Sequence, residues 1–344
     1  MGLRELTELS GVSGDELRVR NMLAESARPL CDELIVDSLG NLIAVKGRAK
    51  PGPKVMLAAH MDEVGFIITG IHDSGLLYFV SVGGIDDKVL LGKHVLVGAA
   101  ALPGVIGGKP IHLMNKDEQQ KAPGCANLFI DIGASDKKSA EAQVCVGDYV
   151  CWATRYAEIG AGRAKAKALD DRAGCQVLLD VLALDLPCPL YATFTVQEEI
   201  GLRGAQVAAY RIDPQLAIVV EGTMCVDIPG SVPHGESTIL GNGPAISFMD
   251  RASIAHRPLR EYLAATAELH DIPHQFKRVA AGGNDAGAIH LVREGVPTAS
   301  LSIPCRYLHT PASIAALADV ADTTRLVGAA LQDLPERGRS LWSI

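Results

Sequence analysis

The sequence predicts an α/β protein carrying a small β-barrel insertion. Three observations carry that prediction. Short apolar runs of strand composition, VMLAA at 55–59, TFTV at 193–196 and LAIVV at 216–220, alternate with helical stretches, the pattern of a sheet buried on both faces. Between Phe66 and Arg163 the alternation lapses. Brief β-rich runs (FIITGI, LLYFVSV, HVLVGAA, PGVIGGKPIHL, NLFIDIG, DYVCWATRYAEI) recur there between glycines, the habit of a small barrel or sandwich. Finally, 344 residues at 48% apolar content suffice for one large core and a smaller one. The expected division is an α/β domain of residues 1–65 plus 164–344, interrupted by an insertion of residues 66–163.

The first fifty residues read as two helices and a hairpin. Ser13 and Glu16 have the S-x-x-E spacing of a capping box ahead of Leu17, Val19, Met22 and Leu23, which would start the second helix. ELIVDSLGNLIAVKG turns at Gly40-Asn41 between two strands. The buried strand 55–59 comes next, with His60 at its carboxyl end and Asp62 two residues on. Within the insertion one helix is expected near Ser135 to Gln143. His72, His94 and His112 have no ordered carboxylates around them and read as structural.

The α/β pattern resumes in AKAKALDDRAGCQVLLDVLALDLP, where Asp170 and Asp171 precede a helix carrying Ala173, Val177, Leu178, Val181 and Leu182 at helical spacing. One aspartate suffices as a cap, which leaves the other free to face the strand ends. The strand at 193–196 stops at two adjacent carboxylates, Glu198 and Glu199, before Gly201 and Gly204 open a helical turn. Leu216 to Val220 form another buried strand, ending in Glu221. RPLREYLAATAELHDI reads as an amphipathic helix and VAAGGNDAGAIHLV as a glycine-rich loop with Asp285 before a helical run. PTASLSIP is a strand leading to His309, and Ser313 to Leu331 a closing helix.

Composition removes several classes of function. Net charge is −8 with no dense Lys/Arg cluster, which argues against nucleic acid as a partner. No apolar run approaches the roughly 20 residues that span a bilayer. MGLRELTELSGVSG has neither a basic nor an apolar leader region, so a cytoplasmic protein is expected. The eight cysteines show no C-x-x-C spacing and read as reduced thiols, so a metal here would be held by His, Asp and Glu.

His60, Asp170, Glu199, Glu221 and His309 all fall at strand ends or in the loops after them, where an open α/β sheet places its ligands. Adjacent buried carboxylates repel unless a cation neutralises them. Mixed imidazole and carboxylate donors suit zinc, cobalt or manganese. If Asp170 bridges, His60, Asp170 and Glu221 would hold one ion and Asp170, Glu199 and His309 the second. Asp62 would then orient His60, because metal-bound imidazoles usually donate their other N–H to a carboxylate. Glu198 is left beside the ligands as general base towards a bridging water and acid towards the leaving amine.

AAHMDEVGF, ALDDRAG, TVQEEIGLRGA, VEGT-x-x-x-DIPG, GGNDAGAIH and the His309 segment together resemble the tetrahedral (TET-type) aminopeptidases, metallopeptidase family forty-two, through nearly the whole chain and in order. The resemblance implies a mixed-sheet, phosphorylase/hydrolase-like zinc-peptidase domain that releases N-terminal residues from peptides with two divalent metal ions, usually zinc or cobalt. Carried over position by position, it implies His60, Asp170, Glu199, Glu221 and His309 as metal ligands, Glu198 as base and Asp62 as the acid behind His60. It also implies an insertion that drives dimerisation, with dimers assembling into a tetrahedral dodecamer. Two positions depart from the family pattern: Asn284 stands where threonine is frequent, and Cys225 where a small residue is usual.

Three other readings use some of the same residues. An amidohydrolase acting on small acylated amino acids would employ the same two ions. A glycoside hydrolase needs two carboxylates flanking a sugar, which neighbours in one loop do not provide. A catalytically inactive assembly or peptide-binding module would hold metal for stability alone.

Overall fold

A computed structural model describes residues 2–230, 237–278 and 282–341; Val279 to Ala281 of the expected glycine-rich loop lie outside the described residues. Four parallel strands, Leu190–Thr195, Val55–His60, Leu216–Met224 and Thr298–Arg306, lie side by side at the centre of the large sheet. Antiparallel strands extend both sides. Glu33–Val36 and Leu42–Lys46 form one edge; Ser313–Ala316, Arg163–Ala166 and Ala157–Ile159 form the other. The sheet is therefore mixed, as the resemblance implied.

Side-chain alternation explains why the central strands read as continuous apolar runs. Val55, Leu57 and Ala59 point to a core covered by the helices Leu17–Ala27, Leu169–Leu182, Arg257–Leu269 and Leu317–Arg337. Met56 and Ala58 point to the opposite core, beneath Arg203–Ile212 and Ala286–Ile289. With period two, both faces must be apolar when both are covered.

Six further strands close a separate antiparallel barrel in the order Gly65–Ile71, Leu77–Val82, Leu128–Asp131, Leu102–Gly108, His94–Val97, Tyr149–Trp152. Phe66 centres its core, edge-on to Phe79 at 5.1 Å and to Trp152 at 4.9 Å between ring centroids. Ala157–Ile159 falls within the range read as insertion, yet it pairs in the large sheet. The barrel's connections carry two short helices, Lys137–Glu141 where one was expected and Lys116–Gln119 besides.

Three local readings are corrected. The Ser13/Glu16 spacing does not cap the second helix, because the hydroxyl donates to Asp62 and the carboxylate accepts from Gly14 and Gln197 instead. The strand expected to end in Glu221 runs on to Met224, since Thr298–Arg306 pairs with it from Ala217 to Met224. The closing helix starts at Leu317, and Ser313–Ala316 before it is a strand on the sheet. Ala245–Ser247 and Gln275–Lys277, three residues each, are too short for periodicity to reveal.

A buried ion network ties the amino-terminal helix to this sheet. Glu63 Oε1 accepts from Lys167 Nζ at 2.5 Å and from the Gly11 amide at 3.1 Å, with Arg172 Nη2 at 3.7 Å. Lys167 and Arg172 also donate to the carbonyls of Leu9 and Leu6. Removing one charge strands the others away from water. Glu63→Gln is expected to lower unfolding stability by about 3–5 kcal/mol, read as an earlier urea midpoint with an unchanged slope.

Candidate metal centre

The parallel strands bring their carboxyl ends to one edge, and the loops beyond them carry the polar cluster. His60 is the last residue of its strand, with Nε2 3.2 Å from Glu221 Oε1, 3.3 Å from Asp170 Oδ1 and 3.9 Å from Glu198 Oε2. His309 Nε2 lies 3.2 Å from Glu199 Oε2 and 3.6 Å from Asp170 Oδ2. Asp170 thus turns one oxygen to each imidazole. All six side chains converge, although Asp170 and His309 are 139 positions apart in the chain.

Each ring is held from behind. His60 Nδ1 donates to the Asp62 carbonyl at 3.2 Å, with Asp62 Oδ1 3.4 Å away. His309 Nδ1 donates to the carbonyl of Gly84, in the segment after the second barrel strand, at 2.8 Å. Because a carbonyl only accepts, both rings present Nε2 to the cluster. Asp62 in turn accepts from Ser13 Oγ at 2.6 Å and from the Glu198 and Glu199 amides at 3.1 and 3.2 Å.

The two aspartates at 170 and 171 divide their work as the sequence suggested. They sit at the non-helical start of Leu169–Leu182, joined by a cis peptide. Asp171 Oδ1 accepts the Gly174 amide at 3.0 Å, while Asp170 faces the histidines. A side chain on Gly222 would put its Cβ 2.7 Å from Asp170 Oδ1, so this close approach requires glycine.

Electrostatics mark the cluster as a cation site. Burial pushes the Glu198 and Glu221 carboxyls well above their usual range, against the pull of His60, and their acidic neighbours push further. Burial also raises Glu199, opposed by His309. Asp170 is held well below the usual range: burial opposes this, but hydrogen bonds from His309 and His60 outweigh it. Burial would likewise depress the imidazoles, yet the surrounding carboxylates lift His60 far up and His309 to about 11. Among the described residues, the only cationic partners within 4.0 Å of these four carboxylates are the two histidines. Glu221 Oε2 is buried without any hydrogen bond. Carboxylate oxygens and imidazole nitrogens that gather with like charges uncompensated are the donor set a divalent ion satisfies.

The cluster opens into a cavity of about 480 Å³ lined also by Leu202, Thr223, Met224, Lys277 and Leu308. A larger cavity, about 740 Å³, lies on the barrel by Met114 and Phe129 and contains none of the six groups. Asn284 lines the first cavity. Its Oδ1 accepts from the Ala286 amide and Ser300 Oγ, so it also closes its own loop. Cys225 is buried beside Thr238, and burial pushes its thiol up to about 12, which makes it unreactive. His72, His94 and His112 lie on the barrel, outside the cluster.

Sequence reasoning missed Ser13, Glu16, Asn41 and Gly84. The first two were visible as a motif but assigned to a helix end. Asn41 was assigned only to a turn, and Gly84 acts through its carbonyl, which no side-chain pattern signals.

The sheet, with a His–carboxylate cluster beyond its strand ends, defines a metal-dependent hydrolase. Residues 40–326 match the sequence profile of the M42 glutamyl aminopeptidase family. The lysyl aminopeptidase of Pyrococcus furiosus is 33% identical over 96% of each chain. The aminopeptidase APDkam598 of Desulfurococcus kamchatkensis superposes with a TM-score of 0.94, at 36% identity over 99% of this chain and 97% of that one. The TET1 peptidase of Pyrococcus horikoshii, described as assembling into a tetrahedron or a large octahedral shell, gives 0.87 at 34% identity over 96% and 98%. The chain belongs to the M42 glutamyl aminopeptidase family and is an aminopeptidase, a hydrolase of peptide bonds.

Asp285, behind the cavity wall, supplies a pH test. Its carboxyl is wholly buried and accepts from Thr195 Oγ1 at 2.5 Å, while Oδ1 has no partner. Burial raises it from 3.8 to about 6 despite that bond. The native state therefore keeps this proton at pH values where the unfolded chain has lost it, so stability falls as pH rises from 4 to 6. Asp285→Asn should remove about 2 kcal/mol of the stability difference between pH 4 and pH 7, measured by urea unfolding at both.

Proposed function

We propose that this aminopeptidase works with two divalent ions, zinc or cobalt foremost and manganese also suited. His60, Asp170 and Glu221 would hold one, and Asp170, Glu199 and His309 the other. The observation that carries this reading is Asp170, whose two oxygens face the two imidazoles separately, each imidazole with its own glutamate. The groupings Asp170–Glu199–His309 and His60–Asp171–Glu221 each bring donor atoms within 4.8 Å of one another. We favour Asp170 over Asp171 in the second, because Asp171 is engaged by the Gly174 amide whereas Asp170 Oδ1 is 3.3 Å from His60. When bound, such ions lower the pKa of water and polarise a peptide carbonyl.

The chain's own residues supply the rest. Glu198 lines the cavity next to the ligands and is the general base, taking the proton of the attacking water and returning it to the departing amine. Asp62 fixes His60 from behind and, through the two glutamate amides, the loop that carries the base. The substrates are peptides with a free amino terminus, whose first residue would enter the cavity beside Met224, Leu308 and Lys277. We place the protein in the cytoplasm, where its eight unpaired cysteines would remain reduced.

Glu198→Gln tests the mechanism. Turnover of aminoacyl-anilides should fall by about 10²–10⁴-fold while metal content per chain is unchanged; retained turnover removes Glu198 from the role. EDTA should abolish wild-type activity and zinc, cobalt or manganese restore it, and N-acylated amino acids assayed in parallel separate an aminopeptidase from an amidohydrolase.

We further propose that the barrel is a dimerisation domain and that dimers build a tetrahedral dodecamer. Val80, Val105, Ile111 and Leu113 expose apolar surface on it, which supports such a role. Light scattering at micromolar concentration with metal present should give a mass near twelve chains; a monomer overturns the assembly.

A further inference from the structure

The loop that carries the two glutamates has an unusual way of satisfying its backbone. Four consecutive amides each donate to a side chain from elsewhere. Val196 donates to Asn41 Oδ1 at 3.0 Å and Gln197 to Glu16 Oε1 at 3.2 Å. Glu198 and Glu199 donate to the two oxygens of Asp62 at 3.1 and 3.2 Å. The loop's carbonyls accept from amides a few residues downstream: Val196 O from Gly204, Gln197 O from Arg203, and Glu198 O from Gly201 and Leu202. Gly204 has no room for a side chain, because its Cβ would meet Asn41 Oδ1 and Val196 O at 2.3 Å.

Within this cradle Gln197 is the pivot. It has a left-handed φ of 57°, which is strained for a residue with a side chain and persists only where the surroundings enforce it. Glu16 is that surrounding. Its carboxylate is buried, and Oε1 receives both the Gly14 and the Gln197 amides. The same short segment presents Ser13 to Asp62. One stretch of the amino terminus therefore grips both sides of the cradle.

We propose that Glu16 is a positioning residue for the reaction: by holding the Gln197 amide it fixes the backbone turn that aims Glu198 into the cavity. The proposal rests on the reading of Glu198 as the base. Glu16 touches neither substrate nor the proposed ligands, and it acts only through the backbone. A displacement of about 1 Å at a reacting group costs on the order of 100-fold in rate. Four of the five proposed ligands lie outside this turn, and the amide of the fifth, Glu199, is held by Asp62, so the ions are expected to stay bound when Glu16 is lost.

The test compares Glu16→Ala, which deletes the acceptor, with Glu16→Gln, which keeps an oxygen at the same reach. In the metal-free chain, amide hydrogen exchange is followed in a peptide spanning residues 193–205; in the zinc-loaded enzyme, kcat and KM are measured on an aminoacyl-anilide together with zinc per chain. Glu16→Ala should exchange that peptide faster and lose about 10–100-fold in kcat, with KM and zinc content as in wild type. Glu16→Gln should restore both. Unchanged exchange in Glu16→Ala, equal kcat losses in both variants, or a loss confined to KM or zinc content overturns the proposal. Should Glu16→Ala fail to fold, Glu16→Asp, one methylene too short to reach both amides, gives the same readouts. If Glu198→Gln keeps its turnover, the base assignment falls independently, and the exchange data still decide whether Glu16 holds the turn.

Discussion

The constraint on which the rest of this structure depends is the crowding of four carboxylates against two imidazoles at the floor of a cavity, where protein rather than water surrounds most of each group. Coulomb repulsion between unit charges a few ångströms apart is worth several kcal/mol at the effective dielectric of a protein. Folding therefore brings together groups that would separate if free. The central strands supply the opposing force. Their cores on both faces of the sheet fix the positions of His60 and Glu221, whatever those side chains prefer. The site is thus destabilising locally and is held by packing elsewhere, as functional sites commonly are.

Much of this was legible in the sequence, for identifiable reasons. Continuous apolar runs reveal strands covered on both faces, and the residue that ends such a run is delivered to the sheet edge. His60, Glu198 and Glu199 obey that logic, and all lie in the cluster. Asp170 sits at the irregular start of a helix and His309 in a loop, where position alone says little; their motifs carried them. The strand continuing past Glu221 was hidden because Gly222 interrupts the apolar pattern, and Gly222 is there to admit Asp170.

The failures have a common cause. Ser13 and Glu16 satisfy a local rule for starting a helix, and nothing local shows that their hydrogen bonds go instead to Asp62, Gly14 and Gln197. Asp62 and Gln197, both distant in the chain, together with the Gly14 amide outside the helix, outcompeted the amides of the helix's first turn. The short strands Ala245–Ser247 and Gln275–Lys277 are likewise products of pairing rather than propensity, since three residues hold no periodicity.

The bond from His309 to the Gly84 carbonyl has a consequence for how the two units depend on each other. Gly84 belongs to the stretch leaving the strand Leu77–Val82, while His309 lies beyond the strand Thr298–Arg306 of the other unit. A shortened chain in which Val64 were spliced to Ala153 would retain every nitrogen and oxygen assigned to the ions, yet the ring of His309 would swivel without its anchor. The small barrel is on this account a structural member of the centre itself, and no minimal enzyme is to be had by trimming it away.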